Sequence, residues 1–408
     1  MVSLVVPTRN ERANIEPMVR RTAAALAATG ERFELLIVDD ASQDGTRQEI
    51  RRLQVAAAWR SPERQRADPA GNRSPHSKRP TGATRANSGE PPSGLGWLRL
   101  IERDHDCDLS TAVLTGWRAA RGDVLGCMDA DLQHPPELLT ELLLTLHERH
   151  ADLVLASRYT AGGALGAWGK ARRLGSRAAT GLASLMLPGT LAGITDPMSG
   201  FFLVRRHAAA LDALRPRGYK ILLELLARAG PQVVAEVPFR FGQRTAGSSK
   251  AGWRPTWCFL RQVASLAAAT GEVRRMISFG AVGLTGVAVN YLAFWLLHHL
   301  TSSTALAAAA ASAIAIGNNF LGDEFYTFRD ASSAAPSVRD RLRRLAHFYT
   351  LSLVGLGINT ASVTLLAELL PWPAALAVGI ALASAWNYFS NAAVTWRRPP
   401  RAVRARAA

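Results

Sequence analysis

Four apolar segments near the end of the chain limit what it can fold into more than any other feature: Met276 to Leu297, Ala305 to Leu321, Leu345 to Leu369 and Pro373 to Val394. Each is close to the roughly 20 residues needed to cross the hydrocarbon core of a bilayer. Nearly all of the Asp and Glu, and all four Lys, lie before residue 275, so the first part reads as soluble and the second as membrane. With 408 residues, two or more units are expected.

Arginine marks the sides of these segments. Arg274 and Arg275 stand at the entry, Arg329, Arg339, Arg341, Arg343 and Arg344 in the middle loop, and Arg397, Arg398, Arg401, Arg404 and Arg406 in the tail. The loops His298 to Thr304 and Leu370 to Trp372 have none. The positive-inside rule then puts both termini and the middle loop in the cytoplasm, as an even number of spans requires. The formal charge of +16 is read the same way: basic residues beside apolar spans attract anionic headgroups, and the apolar third argues against a nucleic-acid partner.

The membrane part also repeats itself. Phe279 precedes Asn290 as Phe348 precedes Asn359, and Asn319 precedes Thr327-Phe328-Arg329 as Asn387 precedes Thr395-Trp396-Arg397. Two helix pairs of the same orientation are expected. Asparagine in a span is costly unless paired, so these residues read first as links between helices, with handling of lipid or sugar as the alternative.

In the first part, short apolar runs ending in polar or acidic clusters alternate with helix-like stretches, the pattern of a parallel sheet covered by helices. Strands are expected at Leu4 to Val6, Leu35 to Val38, Leu98 to Ile101, Val124 to Met128 and Leu153 to Ala156, and helices at Ala13 to Ala28, Ser110 to Ala120 and Pro136 to Glu148. Residues 61–96, rich in Pro, Arg, Ser and Gly with almost no aliphatic residue to bury, read as a disordered insertion. Cys107, Cys127 and Cys258 have no metal-ligand spacing and suit a reducing compartment, and Met1 leads straight into an apolar strand with no signal-peptide pattern.

The chemistry is concentrated after the fourth expected strand. Asp129-Ala130-Asp131 puts two carboxylates at a strand's carboxyl end, where ligands of open parallel sheets bind. Hard divalent cations take such oxygen ligands, and a departing diphosphate needs a cation to neutralise it. By itself this triplet is also common in solvated turns. Lys170 to Leu187 and Trp253 to Ala268 combine basic and apolar residues and read as interfacial helices, or else as helices packed on the sheet.

Further runs add to the triplet: Val6-Pro7-Thr8-Arg9-Asn10-Glu11, Val38 to Thr46, Met128 to Glu137, Ala156-Ser157-Arg158-Tyr159 and Asp196 to Phe202. Over residues 1–272, apart from the insertion, the chain resembles the polyprenyl phosphate mannose synthases (dolichol phosphate mannosyltransferases) of glycosyltransferase family 2. Gly317-Asn318-Asn319-Phe320, Tyr326-Thr327-Phe328 and Trp386-Asn387-Tyr388-Phe389 resemble GtrA-like membrane domains. The resemblance implies an α/β fold, a GT-A type Rossmann-like nucleotide-sugar-binding domain, followed by an all-α domain of four transmembrane helices. It divides the chain into a transferase domain (1–252), an interfacial amphipathic helix (253–272), a GtrA-like domain (273–398) and a basic cytoplasmic tail (399–408).

Carried over by position, the resemblance implies nucleotide-sugar contacts at Pro7, Arg9, Glu11, Val38, Asp40, Asp129 and Ala130, with Asp131 and Gln133 as ligands of Mg2+ or Mn2+. Arg9 stands where tyrosine is common. Lys220, Arg244 and Lys250 match basic positions that close over the donor. Arg158, Arg172 and Ser176 match the acceptor-phosphate set, and guanidinium groups and a hydroxyl suit such a phosphate. Asp131 and Arg158 are the expected catalytic residues.

The implied reaction moves mannose from GDP-mannose to a polyprenyl phosphate. The attacking phosphate oxygen is already anionic at neutral pH, so no general base is needed, and a single displacement inverts the anomeric carbon. The alternatives are a polyprenyl phosphate glucosyltransferase using UDP-glucose, and a non-catalytic lipid-sugar flippase or scaffold. Whether the membrane domain transports product or only anchors and guides lipid stays open in the sequence.

Overall fold

The computed structural model describes residues 1–59, 96–104, 108–164, 166, 169–216, 218–242, 253–301, 303–331 and 337–397. The expected insertion, but for Gly96, and the basic tail lie outside them, as do Arg244, Lys250 and the side chain of Arg172. The chain forms two compact units, one built on Met1–Leu182 and Gly193–Leu266, the other on Ala183–Ala192 and Ala267–Pro399.

The first unit is a seven-stranded sheet with helices on its faces. Its strands are β1 (Val2–Thr8), β2 (Phe33–Asp40), β3 (Leu98–Arg103), β4 (Val124–Cys127), β5 (Leu153–Ser157), β6 (Phe202–Arg205) and β7 (Val234–Pro238), in the order β3-β2-β1-β4-β6-β5-β7. The helices are α1 (Arg12–Ala27), α2 (Thr46–Trp59), α3 (Leu109–Ala119), α4 (Leu138–Glu148), α5 (Lys170–Met186), α6 (Arg206–Ala209), α7 (Ile221–Arg228) and α8 (Trp253–Ala269). β1 and β2 are buried on both faces, which is why they read as unbroken apolar runs rather than alternating ones. α1 turns Ile15, Met18, Val19 and Leu26 inward at helical spacing.

Two expectations change here. The sheet is mixed, because β6 runs antiparallel to both β4 and β5. The Phe201 carbonyl accepts from the Ala156 backbone N–H at 2.9 Å, and the Arg158 N–H donates to the Asp196 carboxylate at 3.1 Å. The Asp196–Phe201 loop is thereby fixed at the carboxyl edge of the parallel strands, and the strand leaving it must run back down the sheet. The fourth helix also begins at Leu138 rather than at Pro136. Pro135 and Pro136 instead form the preceding turn, their carbonyls accepting from the Leu138 and Leu139 N–H groups at 3.1 and 3.0 Å.

The second unit carries α9 (Glu272–Leu300), α10 (Thr304–Gly322), α11 (Val338–Leu366) and α12 (Trp372–Ser390), with π-helical turns at Asp323–Thr327 and Asn391–Thr395. Among the described residues three helices are long and apolar enough to cross a membrane: Glu272–Leu300, Thr304–Thr327 and Val338–Leu366. α12, of 19 residues, falls outside that set; it begins Trp372-Pro373 and carries Trp386, Asn387 and Tyr388 at its far end. Arg339, Arg341, Arg343 and Arg344, expected in a loop, lie in the first turns of α11.

The sequence repeat is a packing repeat. α9 packs along α10, and α11 along α12. Phe328 and its counterpart Trp396 stack with centroids 4.4 Å apart and planes inclined by 6°. Phe279 meets Phe328 and Tyr388 edge-on, as its counterpart Phe348 meets Trp396 and Phe320. Below this aromatic core, buried Glu324 accepts from Arg344 Nε at 3.0 Å and Trp396 Nε1 at 2.8 Å. Buried Glu272 accepts from Arg275 Nη1 at 2.7 Å and from the Tyr388 hydroxyl at 3.2 Å. Trp396→Ala should destabilise this unit by roughly 3–5 kcal/mol, because it removes both the stack and a donor to a buried carboxylate. Thermal unfolding of the full chain in detergent would register the loss, and Trp396→Phe should keep more than half of it.

Candidate active site

The expected site residues gather along the carboxyl edge of the sheet because the parallel strands all end there. Half-buried Pro7 closes β1 opposite Val38 of β2. The chain then turns at Asn10, held in the left-handed region at φ 58° by two hydrogen bonds. Its N–H donates to Ser42 Oγ at 2.8 Å, and its Oδ1 accepts from the Gln43 N–H at 2.9 Å. Glu11 follows, its N–H donating to Thr46 Oγ1 at 3.0 Å. Asp39 is wholly buried and accepts from Arg47, Ser42 and Thr8, so its role is to bind this edge together. Asp40, the expected nucleotide contact, is buried with Arg103 Nε 3.6 Å away. Arg9 is exposed.

After β4 the Asp129-Ala130-Asp131 turn ends at Leu132, in the left-handed region at φ 60°. Asp131 is buried, and its Oδ1 accepts from the Gln133 N–H at 3.1 Å. Gln133 Nε2 donates to the Gly242 carbonyl at 3.3 Å, which leaves the amide oxygen as the end of that side chain able to act as a ligand. Two carboxylates and an amide oxygen are a hard-oxygen donor set and fit Mg2+ or Mn2+. Among the described residues no cluster of three His, Cys, Asp or Glu could hold a metal by itself. That is the usual arrangement where substrate phosphate oxygens complete the shell.

His134 supports the turn from below. Its Nδ1 accepts from the Asp129 N–H at 3.3 Å, and its ring lies among Phe201, Phe239 and Phe241 with centroids 5.4–5.7 Å away. Burial pushes its pKa down to about 4, so the ring is neutral and its approach to the Asp129 carboxylate at 3.6 Å is not an ion pair. Asp131, Arg158, Lys220 and Asp196 all act electrostatically on this ring, which places two acids and two bases in one neighbourhood.

Gly200 has to be glycine here. A Cβ at that position would stand 2.9 Å from Asp129 Oδ2 and 3.2 Å from His134 Cε1. Gly200→Ala should therefore push the Asp129 carboxylate aside and lower kcat/KM roughly 10- to 100-fold. The melting temperature should fall by less than the activity, since the closest clash is with the end of a partly exposed side chain and the His134 ring need give by only a few tenths of an ångström.

Arg158 follows β5 and is clamped by Asp196: Nε and Nη2 each donate to a carboxylate oxygen at 2.7 Å. Burial works against its charge, but the Asp196 hydrogen bonds and charge outweigh it and hold the Arg158 pKa above its ordinary value. The guanidinium also lies 5.6 Å from the Tyr159 ring centroid and 5.7 Å from that of Phe241. Ser176, on α5, shares a 2.8 Å hydrogen bond with the Tyr159 hydroxyl, which brings it beside the residue next to Arg158. Lys220 precedes α7, and its Nζ donates to the Met198 carbonyl at 3.1 Å.

Of the sequence-derived set, Asp129, Asp131, Gln133, Arg158 and Lys220 come together around His134, and Pro7, Glu11, Val38 and Asp40 line the β1–β2 side of the same edge. Arg172, Arg244 and Lys250 lie outside the described side chains. Asp196, Gly200 and His134 were legible only as letters in motifs. Glu236 was not legible at all: it sits in β7, a strand the sequence pattern did not mark. Burial raises its pKa, and its carboxyl accepts from the Thr195 N–H at 2.8 Å and hydroxyl at 2.6 Å, next to Asp196.

Comparison with known proteins identifies the family. The glycosyl transferase family 2 model matches residues 3–72 and 96–210, and the GtrA/DPMS transmembrane domain model matches residues 278–396. Dolichol-phosphate mannosyltransferase of Pyrococcus furiosus is 33% identical over 396 residues, covering 97% of this chain and 99% of that protein. The enzyme of that name from Saccharomyces cerevisiae is 34% identical over 305 residues, covering 72% of this chain and 92% of that one. Among solved structures, mannosyl-3-phosphoglycerate synthase from Rubrobacter xylanophilus aligns at a TM-score of 0.45 and 19% identity, over 67% of this chain and 75% of that one, a likeness too low to bear on function. The chain belongs to the dolichol-phosphate mannosyltransferase family, as a membrane glycosyltransferase that joins a family 2 catalytic domain to a GtrA/DPMS transmembrane domain.

Proposed function

We propose that the chain transfers mannose from GDP-mannose to a polyprenyl phosphate at the cytoplasmic face of a membrane, inverting the anomeric carbon. The observation that carries this reading is the meeting of Asp131 with Arg158, Lys220 and Asp196 around one neutral ring, with the Asp129 carboxylate 3.6 Å from that ring's Nδ1. The acids suit a divalent ion on the donor diphosphate, and the bases suit phosphate groups on the donor and acceptor. The names of the family relatives, which are mannosyltransferases acting on dolichol phosphate, support the sugar and the lipid.

In this mechanism Asp131 and Gln133 would hold Mg2+ or Mn2+, whose chemistry is to neutralise the departing diphosphate, with Asp129 and Ala130 among the nucleotide contacts. Pro7, Glu11, Val38 and Asp40 bind the nucleotide. Arg158, with Ser176 and Arg172, orients the acceptor phosphate, and Lys220, Arg244 and Lys250 cover the donor. The acceptor oxygen is anionic already, so no side chain has to remove a proton. The packing of His134 supports this, since its Nδ1 is occupied by the backbone and its ring is enclosed by phenylalanines.

For the membrane part we propose four spans with both termini cytoplasmic, α12 crossing alongside α11, as the placement of arginine supports. Residues 253–272 act as an interfacial helix. α8 buries Phe259, Val263 and Leu266 while Trp257 and Leu260 stay exposed, and its Gln262 Nε2 donates to the Lys220 carbonyl at 3.0 Å, a division that suits a helix packed by one face and resting on headgroups by the other.

Radiolabelled GDP-mannose and UDP-glucose, each offered with the membrane-reconstituted chain and polyprenyl phosphate, test the reading. Label should reach the lipid from GDP-mannose. Labelling only from UDP-glucose would overturn the choice of donor.

A further inference from the structure

Lys220 leads into α7, whose first turn is buried through Ile221, Leu222 and Leu223, so the place of its ammonium is set by the short segment Gly218-Tyr219-Lys220. Gly218 holds φ 97°, in the left-handed region. Two hydrogen bonds tie it to the start of α3: its N–H donates to Asp108 Oδ2 at 2.6 Å, and its carbonyl accepts from the Ser110 N–H at 3.3 Å. At the other end Lys220 Nζ donates to the Met198 carbonyl, inside the loop that also carries Asp196 and Gly200.

A further hold on the segment comes from α8. Gln262 is buried, and its Nε2 donates to the Lys220 carbonyl at 3.0 Å. The backbone of α7 offers that carbonyl only a long contact, 3.4 Å from the Glu224 N–H, so the amide is the better donor. The other end of the amide has no such duty. Its Oε1 accepts no hydrogen bond among the described residues, and a Cβ on Gly218 would stand 3.2 Å from it. Turning the amide over would set oxygen against oxygen at Lys220, so the unpaired acceptor is the consequence of keeping the donor on that carbonyl. An apolar side chain of the same length would fill the space without burying an unpaired oxygen. What the amide adds at this position is its donation to Lys220.

We infer that Gln262 is a positioning residue for the sugar donor: from α8 it fixes the Gly218-Tyr219-Lys220 segment so that the Lys220 ammonium stands at the Asp129-Ala130-Asp131 turn. It acts through the Lys220 main chain. Lys220 bears electrostatically on the His134 ring together with Asp131 and Arg158, which places its charge in that neighbourhood. A shift of its main chain would carry the ammonium away from the departing diphosphate, and the attraction between them weakens with distance. This role rests on the reading of Lys220 as a donor contact and makes that contact depend on α8.

The test is the kinetics of transfer by the full chain in phosphatidylcholine nanodiscs, varying polyprenyl phosphate and labelled GDP-mannose, or UDP-glucose should that prove the donor. Gln262→Met keeps the volume and loses the N–H. It should lower kcat/KM for the donor about 5- to 10-fold through KM, with kcat and the KM for polyprenyl phosphate unchanged. Lys220→Met should lower the same quantity about 10- to 100-fold. Adding Gln262→Met to Lys220→Met should lower it no further, because the lysine through which Gln262 acts is gone. Full additivity in the double variant, or an equal rise in the KM for polyprenyl phosphate, overturns the positioning role. Donor kinetics unchanged in Gln262→Met alone overturn that role and leave Lys220 as a donor contact; donor kinetics unchanged in Lys220→Met overturn both. If melting shows that Gln262→Met does not fold, Gln262→Glu decides. Its carboxyl donates to the Lys220 carbonyl when protonated and repels it when ionised, so its donor kcat/KM relative to the parent should fall as pH rises from about 5.5 to 9. A ratio independent of pH overturns the role.

Discussion

Replacing Asp131 by alanine should reduce sugar transfer by about 10^3-fold or more, near 4 kcal/mol of transition-state stabilisation, while the catalytic unit stays folded. Asp131 is the buried carboxylate of the turn after β4, and its Oδ1 accepts one N–H from Gln133. Losing that hydrogen bond costs about 1 kcal/mol, far less than losing the anion that holds a divalent ion beside a leaving diphosphate. Asp131→Asn separates the two effects: it keeps an acceptor for Gln133 and loses the charge. It should therefore melt like the parent chain and transfer as poorly as Asp131→Ala. Removal of divalent ions by a chelator should inactivate the parent, with restoration by Mg2+ or Mn2+. Transfer unaffected by Asp131→Ala, measured as label reaching lipid over a metal titration, would remove the proposed metal site.

The second large effect is on folding as much as on catalysis. Asp196→Ala should destabilise the catalytic unit by about 3–5 kcal/mol, because it leaves the Arg158 guanidinium buried without its carboxylate. Both side chains are at least nine-tenths buried, so solvent cannot replace the lost partner. Replacing the pair together, Arg158→Met with Asp196→Leu, should recover much of that stability, since a matched apolar pair removes both desolvated charges. The same double variant should transfer no sugar if Arg158 meets the acceptor phosphate. Denaturant unfolding of the three variants reads the first expectation, and the dependence of rate on polyprenyl phosphate concentration reads the second. A double variant that turns over like the parent would show that the ion pair only supports the fold.

How far the sequence could be read depended on where each signal is stored. β1, β2, β4 and β5 were legible because burial on both faces leaves continuous runs such as Leu35 to Val38. β6 and β7 were missed because their neighbours Asp196 and Phe239 look like loop and core rather than strand. The reversal of β6 depends on contacts of the Asp196–Phe201 loop with β5, and those join residues 38 or more positions apart. No local window contains them. In the membrane unit, the spacing of Phe, Asn and Thr-aromatic pairs announced a repeat, but that Phe328 would stack on Trp396 follows only from how the helix pairs meet.

The candidate site divides in the same way. Asp129, Asp131, Gln133, Arg158 and Lys220 were named from motifs, because groups that meet a diphosphate and a metal are few in kind and sit at strand ends. The supporting residues were invisible as roles. His134 acts by accepting one backbone N–H, Gly200 by having no side chain, and Glu236 by holding the backbone beside Asp196, and none of these duties has a fixed sequence spacing.

The sequence by itself determined that a charge-rich, strand-alternating catalytic part is joined to arginine-flanked apolar helices, since composition and periodicity are local properties that each segment carries alone. Only the tertiary structure decided that Asp196 sets the direction of Arg158, that one antiparallel strand interrupts the sheet, and that Gln262 of α8 meets the Lys220 carbonyl. Those are relations between segments far apart in the chain. They exist only once burial has forced distant polar groups to find one another, or has left some of them, as with Asn359 and Asn387, still without a donor.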